Sequence, residues 1–275
     1  MGKKIFILTI RFRALNNTII PPFSAKVSKL IMHKLSLLYK DVMKRNSPFK
    51  PVAITPLMYN GRALIKIYND KNNLTLRVGE EYSFRTTIIA EESIEPSYLF
   101  SFEQQRVDGI FKTSILLDSI MLDIKDFANL TLGRPNILKM NFVSPVLLQL
   151  PSYGRFKNGR HLLFPLPSII IRSLLDHWNA NCGPDNVIRS SIYLQIYSNY
   201  ALVEADFNIK PVTVYYDGVR KPRGFIGWVV YEVRARRKKN AYNNLMRLLD
   251  YARYVGIGKS RATGFGQIEL IPLSV

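Results

Sequence analysis

The chain has 275 residues, enough for two domains of ordinary size, and 47% of them are hydrophobic, enough for a proper core. Thirty-nine Lys and Arg against 20 Asp and Glu leave a net charge of +19, more than an enzyme for neutral ligands needs, so a polyanion is the expected partner. The single cysteine, Cys182, excludes an internal disulfide and suits a reducing cytoplasm; one cysteine and three scattered histidines suggest no metal cluster and no cofactor; and no apolar run reaches the ~18–20 residues of a membrane span.

Lys4 to Phe12 alternates, with Phe6, Leu8, Ile10 and Phe12 on one face, and is a predicted strand. Pro21-Pro22 ends the connection that follows, and Ser24 can cap a helix over residues 25–44. At 100° per residue, Val27, Ile31, Leu35, Leu38 and Val42 fall within about 80° of one another. Lys26, Lys29, His33, Lys40 and Lys44 fall within about 60° on nearly the opposite side. A merely solvated face usually interleaves Glu with Lys, and this stripe does not.

Val52 to Tyr59 and Arg62 to Tyr68 flank Asn60-Gly61, a hairpin signal. Strands are expected over Leu74 to Val78, Glu81 to Ala90 and Ile110 to Leu122, with a weak helix near Ser97 to Gln105. The order from 130 onward is similar. Ile137 to Val143 reads as a strand, Pro151 to Pro167 as a Gly/Pro-rich loop, and Ser168 to Ala180 as a helix. Ser191 to Ser198, Val203 to Val214 and Phe225 to Ala235 read as strands. A last helix runs from Asn240 to a C-cap at Gly256, and a terminal strand closes the chain. His161 and His177 are expected on the surface. Strand, helix, strands, helix, strand, stated twice, predicts an α+β fold of two tandem ferredoxin-like (RRM-like) βαββαβ domains, over residues 1–128 and 129–275.

Charge is segregated. Residues 1–50 carry eleven basic side chains and one acid, Asp41; residues 230–261 carry nine and two; residues 80–126 hold ten acids against four bases. This predicts a basic face drawn from the two ends of the chain. The densest feature there is Gly256-Ile257-Gly258-Lys259-Ser260-Arg261-Ala262-Thr263-Gly264-Phe265-Gly266. Gly258-Lys259-Ser260 matches the second half of a nucleotide P-loop, but the required first glycine falls on Arg253. The dinucleotide fingerprint fails too, because its third glycine falls on Arg261. What is left is a basic glycine loop expected to cradle a phosphate chain through Gly256, Gly258, Lys259, Ser260, Arg261, Gly264 and Gly266. Arg234 and Arg236, on the face of the last long strand that also bears Trp228, are expected to bind phosphate or stack on a base.

The loop GIGKSRATGFG between a helix and the terminal strand resembles the C-terminal signature of the CRISPR-associated precursor-RNA-processing endoribonucleases, in the repeat-associated mysterious protein (RAMP) superfamily. GFIGWVVYEV and NFVSPVLL are also similar to that family. The resemblance implies CRISPR repeat RNA as substrate and metal-independent cleavage by 2′-hydroxyl attack, leaving a 2′,3′-cyclic phosphate and a 5′-hydroxyl. It also implies a homodimer as one assembly, and hand-over of product RNA to an effector complex. Several members use a histidine just after the first helix, a tyrosine within it and a lysine beyond it. Here Lys44, Arg45 and Lys50 follow the helix without a histidine, Met32 or His33 stands where the tyrosine would fall, and Lys50 matches the lysine. Lys29 and Lys26 are therefore the expected phosphate-stabilising or proton-transferring groups, with Lys50 the adjacent cation and His33 the one nearby group titrating near neutrality. The missing histidine leaves a second reading, a non-catalytic RNA-binding RAMP subunit of an effector complex.

Overall fold

The computed structural model describes residues 2–68, 70–101, 105–151, 160–189, 191–217, 219–234 and 239–273. Two compact units divide them. Unit 1 takes Met1–Lys125, Thr213–Pro222 and Ala262–Gly264. Unit 2 takes Asp126–Val212, Arg223–Arg261 and Phe265–Val275. The sequence suggests two continuous stretches meeting at 128/129; in the structure, two short later pieces also belong to unit 1.

Among the described residues, unit 1 contains β1 (Lys3–Ala14), β2 (Thr18–Ile19), α1 (Ala25–Leu35), α2 (Leu37–Lys44), β3 (Val52–Ile54), β4 (Met58–Tyr59), β5 (Arg62–Ala63), β6 (Thr75–Leu76), β7 (Glu81–Glu91), α3 (Pro96–Leu99), β8 (Arg106–Ile110) and β9 (Thr113–Asp126). Its main sheet runs β5-β4-β7-β1-β9-β8, with β3 also paired to β7. Unit 2 contains β10 (Ile137–Val146), β11 (Leu148–Gln149), β12 (His161–Leu162), α4 (Pro167–Asn181), α5 (Ser191–Ala201), β13 (Leu202–Thr213), β14 (Arg223–Val233), α6 (Lys239–Val255) and β15 (Ile268–Leu273), with its sheet ordered β13-β14-β10-β15. If the principal strands of each unit are renumbered one to four, both sheets read 2-3-1-4, the ferredoxin-like order, and the fold is α+β as expected.

The alternation of β1 does what the sequence asks of it. Phe6, Leu8, Ile10 and Phe12 are buried in one cluster with Val27, Ile31, Leu35, Leu38 and Val42 from the helices. Burying those five helical side chains is worth on the order of 10 kcal/mol. That fixes which face of α1 turns inward and leaves Lys26, Lys29 and His33 on the other. The Asn60-Gly61 hairpin also forms, both residues at positive φ.

Three local expectations are corrected. The helix expected over 25–44 is two helices. Ser36 between them is extended, at φ −129° and ψ 118°, and its Oγ accepts the Tyr39 amide at 3.0 Å as the cap of α2. The strand expected over Ser191 to Ser198 is helix α5, which buries Leu194, Ser198 and Ala201 at helical spacing. His177 is buried, with Nδ1 hydrogen-bonded to the Tyr251 hydroxyl at 2.7 Å. Of the expected loop 151–167, residues 152–159 lie outside the described residues, and so does Arg236. No helix of the described residues is long and apolar enough to cross a membrane.

Candidate functional site

Lys26 and Lys29 sit one turn apart on α1, half-buried, with His33 a turn further on. Burial lowers the pKa of Lys29 first, and the neighbouring Lys50 and Lys26 lower it further by like-charge repulsion. His33 is lowered in the same way, by burial, then Lys29, then Lys40. Lys50 is held in place by the end of α2: its Nζ donates to the Met43 and Arg45 carbonyls at 2.5 and 3.0 Å, where the helix dipole favours a cation. The four residues expected to carry chemistry thus lie in one electrostatically coupled neighbourhood of unit 1. Lys44, on the same expected stripe, pairs with Asp41 at 3.5 Å.

The structure adds residues that the sequence did not single out. Tyr216, from the 213–222 piece of unit 1, packs on Phe23 with ring centroids 5.6 Å apart. Lys26 Nζ lies 4.9 Å from the Tyr216 ring centroid, and the Arg220 guanidinium lies 5.1 Å from it. Burial raises the Tyr216 phenol, while a hydrogen bond with Thr263 and the charge of Arg220 lower it. Tyr39, the residue capped by Ser36, sets its ring edge-on to His33 at 5.1 Å. Burial and Tyr216 hold the Tyr39 phenol protonated well above its usual range. Its hydroxyl and that of Ser28 are buried with no hydrogen-bond partner among the described residues. A buried hydroxyl without a partner is costly to folding. No spacing rule ties residue 216 to residue 26. Only the return of 213–222 to unit 1 does so.

The glycine loop is placed otherwise than expected. Gly256, Gly258, Gly264 and Gly266 are buried, and the amides expected to face a phosphate bind the protein itself. Gly256 N–H donates to Ala252, Ile257 N–H to Gly266, Lys259 N–H to Leu147 and Gly266 N–H to Pro145, while Gly258 N–H donates to the Ser173 hydroxyl. At Gly258, φ +77°, an added Cβ would come 2.6 Å from the Leu147 carbonyl, so the glycine serves close packing of backbone on backbone. Arg261 is only 5% exposed, and its guanidinium donates to the Ser173 carbonyl at 2.9 Å and hydroxyl at 3.2 Å. Burial depresses its pKa to about 10, partly offset by Tyr251 and Asp176. Lys259 and Ser260 are the exposed members of the loop. Arg234, just beyond β14, is exposed and paired with Glu232 at 2.7 Å, which raises its pKa. These residues all belong to unit 2, whereas Ala262–Gly264 belong to unit 1. Among the described residues, no group of three or more His, Cys, Asp and Glu side chains is placed to hold a metal ion.

A doubled ferredoxin-like fold whose first helix gathers partly buried amines defines an α+β protein with a cationic site on a regular scaffold. The comparisons with known proteins narrow the class. Residues 6–115 match the Cas6 N-terminal domain, and residues 140–268 match the CRISPR-associated endoribonuclease Cas6. The chain belongs to the Cas6 family of CRISPR-associated endoribonucleases. It is 26% identical to CRISPR-associated endoribonuclease Cas6 2 of Saccharolobus solfataricus, over 93% of this chain and 92% of that one, and 24% identical to Cas6 1 of the same organism, over the same shares. Among solved structures, a Cas6 product complex matches with a TM-score of 0.69 at 18% identity, covering 98% of this chain and 100% of that one. Thermus thermophilus Cas6 matches with a TM-score of 0.65 at 16% identity and the same coverage.

Proposed function

We propose that this protein is a metal-independent endoribonuclease that cuts CRISPR repeat RNA by attack of a 2′-hydroxyl on the adjacent phosphate, leaving 2′,3′-cyclic phosphate and 5′-hydroxyl ends. The observation that carries the reading is Lys29, half-buried on α1 and electrostatically coupled to Lys26 one turn away and to Lys50 beyond α2. In-line attack needs an acceptor for the 2′-hydroxyl proton, a donor for the leaving 5′-oxygen and positive charge on the phosphorane oxygens. A lysine whose neighbours and burial favour its neutral form can accept the proton. Lys26 and Lys50 supply the charge. His33 and Lys26, on the outward face of α1, are candidate donors.

Repeat RNA as the partner is supported by family membership and by relatives named as endoribonucleases. The structural neighbours include Cas6 complexes with product and with a substrate mimic. The exposed Lys259 and Arg234 are candidate phosphate contacts in unit 2. Homodimerisation and hand-over of product to an effector complex belong to the same reading.

The test is incubation of the protein with its repeat RNA in EDTA, followed by end-group analysis. One defined cut with a cyclic phosphate is the expected result. Tight binding of an RNA that stays intact would instead establish the non-catalytic RNA-binding reading, and a cut made only after magnesium is restored would overturn the mechanism.

A further inference from the structure

One cluster of unit 1 is used neither by the core nor by the lysine site. Tyr68 and Tyr215 lie side by side where the chain after β5 meets the 213–222 piece. Tyr68 N–H donates to the Thr213 carbonyl at 2.8 Å, Tyr215 N–H to the Lys66 carbonyl at 3.3 Å, and Ile67 and Val214 form an antiparallel bridge between them. The two rings are stacked, with centroids 5.4 Å apart and planes 30° from parallel. Lys221 Nζ stands 5.2 Å from the Tyr68 centroid and 5.6 Å from the Tyr215 centroid.

Two features set this cluster apart from a packing contact. Tyr68 is 46% exposed, so much of its side chain is open to solvent. The piece carrying Tyr215 and Lys221 is also locked in advance. Asp217 accepts from the Val219 and Arg220 amides at 3.2 and 2.6 Å and from the Arg220 guanidinium, and Val214 N–H donates to Pro222. An aromatic surface with a cation beside it suits an unpaired base, whose π-face stacks on the rings while its phosphate meets the amine.

We propose that Tyr68, Tyr215 and Lys221 form a base-stacking subsite for one unpaired nucleotide of the substrate RNA. The inference rests on the RNA-cleavage reading and extends it. Tyr215 and Tyr216 are consecutive, their Cα atoms about 3.8 Å apart. Tyr216 faces Lys26. An RNA whose scissile phosphate lies at Lys26 and Lys29 therefore has a nucleotide within reach of the platform, close to the cut in sequence.

The experiment is an abasic scan. Repeat RNAs lacking the base at one unpaired position at a time are titrated against wild type, Tyr68→Ala, Tyr68→Phe and Lys221→Gln. One position near the cut should weaken wild-type binding about 5- to 100-fold when its base is removed. Tyr68→Ala should bind the intact RNA more weakly by a similar factor and become indifferent to that position, while Tyr68→Phe keeps wild-type behaviour. Lys221→Gln should weaken binding but retain the abasic sensitivity. The proposal is overturned if Tyr68→Ala binds intact RNA as tightly as wild type, or if it keeps the wild-type abasic profile. A wild type that cuts its RNA but shows no sensitive position also sinks the subsite and leaves the cleavage reading standing. A wild type that binds no RNA sinks both.

Discussion

Gly264 packs against the start of α1, and its replacement should be felt there. The residue lies in the 262–264 piece of unit 1 at φ +97°, and a Cβ built on it would stand 2.3 Å from Ala25 Cβ and 3.0 Å from the Phe23 ring. Both neighbours are fully buried, so neither can move aside cheaply. Gly264→Ala adds about 1–2 kcal/mol of left-handed backbone strain and about 1–3 kcal/mol of overpacking. The loss is about 2–5 kcal/mol together. Gly79, also in unit 1, is the control: its φ is +77° but nothing lies within 4 Å, so Gly79→Ala should cost only the strain, about 1–2 kcal/mol. Urea unfolding followed by far-UV circular dichroism, with hydrogen exchange of β1 and α1 amides, measures both. Ala25 is the first residue of α1 and adjoins Lys26, so the shift should also slow single-turnover cleavage about 10- to 100-fold under conditions where the variant stays folded. If Gly264→Ala unfolds no earlier than Gly79→Ala and cuts at the wild-type rate, Gly264 is not packed on Ala25 and Phe23 as described.

Further outcomes are expected. Lys29→Ala should slow single-turnover cleavage about 10²- to 10⁴-fold with a much smaller change in RNA affinity; equal losses in both would make Lys29 a binding residue only. The cleavage rate should climb with pH and flatten above the lowered pKa of Lys29, because the neutral amine is the active form. Lys50→Gln removes one of the charges that depress it, so the bend should move to higher pH; an unmoved bend would assign the proton acceptor elsewhere. The same shift gives stability a sign. The folded protein gives up the Lys29 proton before the unfolded chain does, so unfolding free energy rises with pH between the folded and unfolded pKa values of this group. Arg261→Met removes the guanidinium hydrogen bonds to Ser173 and should destabilise unit 2 by about 1–3 kcal/mol, measured by thermal melting; full stability with weakened RNA binding would return Arg261 to the ligand.

What the sequence made legible was periodicity carried by strong side chains. The alternation of Phe6 to Phe12 and the helical stripe of Val27 to Val42 are each the residues the core takes, and the doubled element order gave the doubled sheet order. The misreadings have particular causes. Ile192, Tyr193, Ile196 and Tyr197 favour strands intrinsically, while the helical period of α5 rests on Leu194, Ser198 and Ala201, two of which have little hydropathy to show. Ser36 sits inside a continuous apolar stripe, and nothing before the fold says that the helix breaks there. Glycines with interspersed cations look the same whether the close approach is to a phosphate or to the Leu147 carbonyl. The lysines of the site were visible as a stripe without carboxylates. Tyr39 and Tyr216 were not, since their place depends on a helix break and on a distant piece of chain.

The composition of unit 1 has a consequence for synthesis. Its first continuous stretch ends at Lys125, yet Gly264 also belongs to it, about 140 residues later. At about 5–20 residues per second, a nascent chain waits roughly 7–30 s between the two. Until residue 216 is made, about 90 residues after Lys125, Phe23 lacks the ring of Tyr216 and Lys26 lacks its aromatic partner. A polypeptide still on the ribosome therefore carries its amines without the setting that positions them. The site is assembled only when nearly the whole chain exists, so truncated translation products should be inert toward RNA cleavage rather than loosely active.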